Sequence, residues 1–146
     1  ALFAAEDFSK WPFWKRGDGH HARGHAYFLT KAGERAESDL AAAVEWIGDS
    51  RVREAAHFLQ GRNREDNLKN DAAAAQVYEA IVAGRQRFGG ADEFGALQGL
   101  ARILTRQRKF DEALATLARA KPDELQGVWK ASFLNAIEDV NKARVQ

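Results

Sequence analysis

Residues 23–44 read RGHAYFLTKAGERAESDLAAAV, and the spacing of small side chains in this stretch decides the fold. Ala36, Leu40, Ala43, Val44 and Ile47 fall at offsets 0, 4, 7, 8 and 11, which is one face of an α-helix. Adding 37 to Gly24, Ala36, Leu40 and Ala43 gives Gly61, Ala73, Val77 and Ala80; adding 40 more gives Ala101, Ala113, Leu117 and Ala120. Small, small, large, small therefore recurs three times. Small residues on facing helices let the axes approach to roughly 8–10 Å, and the large residue fills the groove between neighbours. Each unit is expected to be a helical hairpin.

The second copy continues through Ile81 and Gly84, whereas the third places Lys121 where Val44 and Ile81 stand and so has a shorter stripe. Turn signals divide the chain in the same way. Lys31-Ala32-Gly33, NREDNLKND (63–71) and TRQRKF (105–110) interrupt the three hairpins, while Gly48-Asp49-Ser50 and GRQRFGG (84–90) separate them. Ser50 and Asp92 are the candidate N-caps. With two prolines and no runs of alternating β-branched residues, the chain reads as all-α.

On these residues the chain resembles the tetratricopeptide repeat family, whose unit is a 34-residue helix–turn–helix. Gly24, Tyr27, Ala36, Leu40 and Ala43 match the family pattern, as do Leu100, Ala101, Leu104, Phe110, Ala113, Leu117 and Ala120 in GLARILTRQRKFDEALATLARAKPD (99–123). KFDEAL is similar to the family's second-helix opening. The middle copy departs from the pattern, with Arg64 where Tyr27 and Leu104 lie, and longer loops account for spacings above the family period. The resemblance covers about residues 18–123 and implies a right-handed solenoid of about three hairpins, at 18–48, 50–85 and 91–121.

A stack of hairpins leaves apolar faces open at both ends. Residues 122–146 supply one cap: after Pro122, Leu125, Val128, Trp129, Phe133, Ala136, Ile137 and Val140 form one helical stripe. At the other end the segment 1–17 carries Phe8, Trp11, Phe13 and Trp14 around Pro12, read as a lid over the first hairpin or, alternatively, an exposed aromatic docking patch.

Composition removes several functions. A chain of 146 residues is near the size of one domain. Its net charge of +1, from 22 basic and 21 acidic residues, provides no strong field toward nucleic acid or an anionic membrane. The absence of cysteine excludes disulfides, thiolate nucleophiles and cysteine-based metal sites. No apolar run approaches the roughly 18 residues of a spanning helix, so a soluble chain is expected. The opening ALFAA fits either the trailing edge of a removed export signal or an arbitrary boundary, and the reading leans slightly toward a periplasmic or secreted chain.

In the resembled family the first helix of each hairpin lines a concave groove. Carried over from Gly24, that register gives the groove Asp18, His21, His25, Phe28 and Leu29; then Ala55, Phe58, Arg62, Glu65 and Asp66; then Gly95, Gln98, Arg102, Thr105 and Arg106. His20 and His57 fall on the packing side. The expected peptide-binding set is His21, His25, Phe28, Phe58, Arg62, Gln98, Arg102 and Arg106. Arginine forks suit carboxylates, so an acidic segment or a chain terminus is the expected guest. Family members that clamp a peptide carboxylate do so with lysine and asparagine on the first repeat; here His21 and His25 stand there, which argues against that clamp.

Asp18, His21 and His25 also share a helix face at spacings of 3 and 4, a weak candidate metal site, although Asp18 between Gly17 and Gly19 reads equally as a helix cap. No G-x-S-x-G, H-E-x-x-H or phosphate-binding glycine loop is present. The sequence thus points to a noncatalytic interaction scaffold with a protein or peptide partner and no cofactor. The alternatives are a metal or small-ligand binder using Asp18, His21 and His25, or a single-strand nucleic-acid binder, which the charge balance disfavours.

Overall fold

The computed structural model describes residues 5–84 and 91–146, with the side chain of Ala91 left aside. Among them all regular structure is helical: α1 (Phe13–Leu29), α2 (Gly33–Trp46), α3 (Ser50–Asp66), α4 (Asp71–Gly84), α5 (Ala91–Arg106), α6 (Phe110–Ala118) and α7 (Gly127–Arg144), with short 3-10 turns at Phe8–Lys10 and Pro122–Glu124. Length alone suggests one domain, but the chain divides into two compact units. The first runs to Val77 and the second starts at Tyr78, so the border lies inside α4.

The three turns within the expected hairpins share a device that the sequence conceals. Each has a basic residue in the left-handed region, Lys31 (φ 60°), Lys69 (φ 53°) and Arg108 (φ 61°), where glycine is the usual choice. In the first, the Ala32 N–H donates to the Tyr27 carbonyl and the Lys31 N–H to that of Phe28. The third repeats this with Lys109 to Leu104 and Arg108 to Thr105, a helix C-terminus closed by paired back-reaching bonds. Gly33, expected to stop α1, instead begins α2 and is buried; a Cβ there would come within 2.8 Å of Leu68.

The middle turn is one residue wider. Asn70 N–H reaches back to the Arg64 carbonyl, six residues earlier, where its counterparts reach back five. This shifts the face of α4: Ala74, Val77, Tyr78 and Ile81 are buried, Ala73 is only half-buried and Ala80 is exposed. The expected register of Ala73 and Ala80 is therefore corrected by one residue. Ala36, Leu40, Ala43, Ala101, Ala113 and Leu117 are buried as the spacing requires.

In the first unit α1 and α2 pack closely because glycines on α1 face α2. A Cβ on Gly24 would lie 2.9 Å from the Leu40 side chain, and one on Gly17 would lie 2.6 Å from Ile47. α3 is capped by Asp49, whose Oδ1 accepts from the N–H groups of Arg51 and Val52, so the cap is Asp49 and not the expected Ser50. Asp92 likewise lies within the first turn of α5. The expected GRQRFGG separator falls, after Gly84, outside the described residues.

In the second unit Leu97 and Ala101 of α5, Ala113 and Leu117 of α6, and Phe133 and Val140 of α7 form one buried cluster. Phe133 meets Phe94 edge to face, with centroids 5.6 Å apart. The expected stripe on α7 holds except at Val128, which is 83% exposed. The helix itself starts at Gly127, where φ is +56°, after a left-handed Lys121 and the Pro122–Glu124 turn.

Candidate functional site

The second unit holds a cleft of about 450 Å³ between α5 and α7. Gln98, Arg102, Thr105 and Arg106 form one wall, one helical turn apart along α5. Ser132, Asn135 and Asp139 form the other, and Ala101, Ala136 and Val140 line it with apolar surface. The walls are joined where Gln98 Nε2 donates to Ser132 Oγ at 2.7 Å. The lining thus combines two arginines and one aspartate with amide and hydroxyl side chains of the kind that bond a main chain. Of the expected groove residues Gln98, Arg102, Thr105 and Arg106 line this cleft, and Ser132, Asn135 and Asp139 were not among those expected. Their spacing of 3 and 4 is the sequence signal that places them on one face of α7, beside its apolar stripe.

The other expected groove residues belong to the first unit. His21 and Phe28 on α1 are half-buried, and His25 is exposed. Phe58 and Arg62 on α3 are half-buried. Arg62 is held by its own helix, donating from Nε and Nη2 to Asp66 Oδ2 at 3.0 and 2.7 Å. Burial lowers the His21 pKa, with the neighbouring His25 adding to the effect and Asp18 opposing it. Burial lowers His57 as well, with Arg64 contributing.

Asp18 lies well inside α1, which starts at Phe13, so the expected cap is corrected: Pro12 holds the N-cap position. Among the described residues no three His, Asp or Glu side chains stand close enough together to hold a metal ion, and Asp18, His21 and His25 do not make such a group.

Two polar clusters were not foreseen. Buried Asp39 accepts from Arg23 Nε and Nη2 at 2.7 and 2.8 Å and meets His20 Nδ1 at 2.8 Å, which explains why His20 lies on the packing side. Glu37 Oε1 accepts from Gln60 Nε2 at 2.9 Å and from Arg64 at 2.7 and 3.0 Å, while its Oε2 is buried with no hydrogen-bond partner. Arg64, the departure from the family pattern, also reaches the Ala73 carbonyl and so ties α3 to α4.

The aromatic N-terminal segment is divided. Phe8 is covered, 2% exposed, whereas Phe13 and Trp14 are 65% and 66% exposed. Among the described residues no helix is long and apolar enough to cross a membrane. Comparisons of the chain with protein-family models, with curated proteins and with solved structures found no match to any of the three.

Proposed function

We propose that the chain is a noncatalytic protein–protein interaction scaffold built from tetratricopeptide-like hairpins, and that the α5–α7 cleft receives an extended segment of a partner. The observation that carries this reading is the composition of the cleft. A lining of Ala101, Ala136 and Val140 admits a side chain, and Gln98, Ser132 and Asn135 offer bonds to a peptide backbone. Arg102 and Arg106 lie in the lining with Asp139, and the guanidinium fork matches a carboxylate in shape and charge, so the guest we propose carries an acidic side chain or a terminal carboxylate. The volume is that of a few residues.

The test is a hexapeptide library screened twice, with free and with amidated C-termini, against the wild type and the Arg102→Ala, Arg106→Ala double variant. Acidic or free-carboxylate peptides should bind the wild type and lose at least tenfold in affinity on the double variant, with its melting temperature unchanged. Equal binding by the two proteins would remove these arginines from the site. A steep loss of affinity between low and physiological salt, shared with single-stranded nucleic acid, would favour the nucleic-acid alternative.

A further inference from the structure

The segment ahead of α1 is held as a bound peptide is held. Residues 6–11, EDFSKW, present three main-chain carbonyls to α1. Arg16 donates from Nε to the Trp11 carbonyl at 3.0 Å and from Nη2 to that of Ser9 at 2.8 Å. Arg23 donates from Nη1 to the Glu6 carbonyl at 2.8 Å. Bonds to the main chain supply affinity without choosing side chains.

One side chain is read. Phe8 sits on Gly19, where a Cβ would come within 2.7 Å of its ring. Its ring meets His20 edge-on, with centroids 4.8 Å apart, and lies under the Arg23 guanidinium at 4.6 Å. Asp39 holds both walls of this socket, Arg23 and His20, by bonds that do not involve Phe8. Charge matches as well. The Asp7 carboxyl is held below its ordinary range by its bonds to Ser9 and further by Lys10 and Arg16, and Glu6 adds to the field on Arg23.

We propose that this face of α1 is a peptide-recognition site which residues 6–11 occupy in cis and which accepts in trans a partner segment of the same chemistry. That segment carries one or two acidic residues followed by an aromatic side chain, with carbonyls two residues before the aromatic and one and three residues after it. Release takes no side-chain cap from α1, because Pro12 holds the N-cap position and no side-chain cap bond is made there. Exposed Phe13 and Trp14, edge to face at 5.2 Å, add apolar surface just after Pro12 for the incoming chain. The site lies in the first unit and does not depend on the α5–α7 cleft.

Phe8→Ala in the full chain vacates the socket. Fluorescein-labelled EDFSKW, blocked at both ends and titrated to millimolar, is followed by anisotropy. The variant should bind it saturably and at least tenfold more tightly than the wild type. Binding should vanish for the EDASKW peptide, and again when Gly19→Ala fills the socket of the variant. Equal binding of the two peptides, or none by a variant of unchanged helicity, overturns the proposal.

If Phe8→Ala fails to fold, hydrogen exchange of the wild type decides. The Lys10 and Trp11 amides, bonded to the Asp7 and Phe8 carbonyls, should exchange at least tenfold faster when unlabelled EDFSKW is in excess. A rate that ignores the peptide overturns the proposal. Dimers that form with rising concentration and dissociate in free EDFSKW would support it, with a second copy as the occupant.

Discussion

The two units close their helices by different means. In the first, polar pairs do much of the joining: buried Asp39 gathers Arg23 and His20, half-buried Glu37 gathers Gln60 and Arg64, and Asn63 and Asn67 donate to the Gly33 and Phe28 carbonyls. In the second, Leu97, Ala101, Ala113, Leu117, Phe133 and Val140 make one apolar cluster. Apolar packing tolerates small changes of angle, whereas a bidentate arginine does not. In the first unit named polar pairs thus add to the close glycine packing of α1 on α2, and this unit holds the Phe8 socket. The second unit is joined by this apolar cluster, with Gln98 bonded to Ser132 and Arg144 paired with Asp111 beside it, and holds a cleft along the α5–α7 seam.

This contrast can be broken most easily in the second unit. Phe133 is fully buried at the meeting point of α5, α6 and α7, so Phe133→Ala should cost about 3–5 kcal/mol through lost transfer energy and the cavity left behind. Denaturant unfolding with hydrogen exchange should show the loss in α5–α7; a cost below about 1 kcal/mol would mean that the cluster does not hold this unit. Asp39→Ala should cost less, about 2–3 kcal/mol, because it strands Arg23 and His20 but both retain some exposure to water. Its losses should concentrate in α1 and α2.

The smallest effect concerns pH. All four histidines, at 20, 21, 25 and 57, lie in the first unit. His21 and His57 have folded pKa values below the unfolded one, so the unfolded state binds more protons in that interval. Their contribution is complete above the unfolded value and is lost as pH falls from about 6.5 through the folded pKa. Hydrogen exchange at pH 7.5 and 5.5 should show weakened protection for α1–α3 and little change for α5–α7, and His57→Gln should reduce the difference. Equal weakening of both units would contradict the account.

What was legible in the sequence follows from locality. The faces of α2, α5 and α6 could be counted because Ala36, Leu40, Ala101, Ala113 and Leu117 obey a period set by the helix itself. On α4 Val77 and Ile81 are buried as counted, but Ala73 and Ala80 give way to Ala74 and Tyr78, because counting by 37 cannot see the extra residue in the widened Asn70-to-Arg64 closure. The charged clusters were illegible for a related reason. Arg23 and Asp39 are 16 residues apart, and they meet only because a glycine-faced α1 lies against α2 and the turn at Lys31 fixes their register. At the cleft, Gln98, Arg102 and Arg106 came from the family resemblance, and their partners on α7 required the packing of Phe133 to bring that helix alongside.

The measurement that bears most directly on the proposed function is amide chemical-shift mapping of the labelled full chain with the tightest free-carboxylate hexapeptide from the library. The account predicts shifts concentrated on Gln98, Arg102, Thr105, Arg106, Ser132, Asn135 and Asp139. Shifts confined to other residues, or none at saturating peptide, would contradict it.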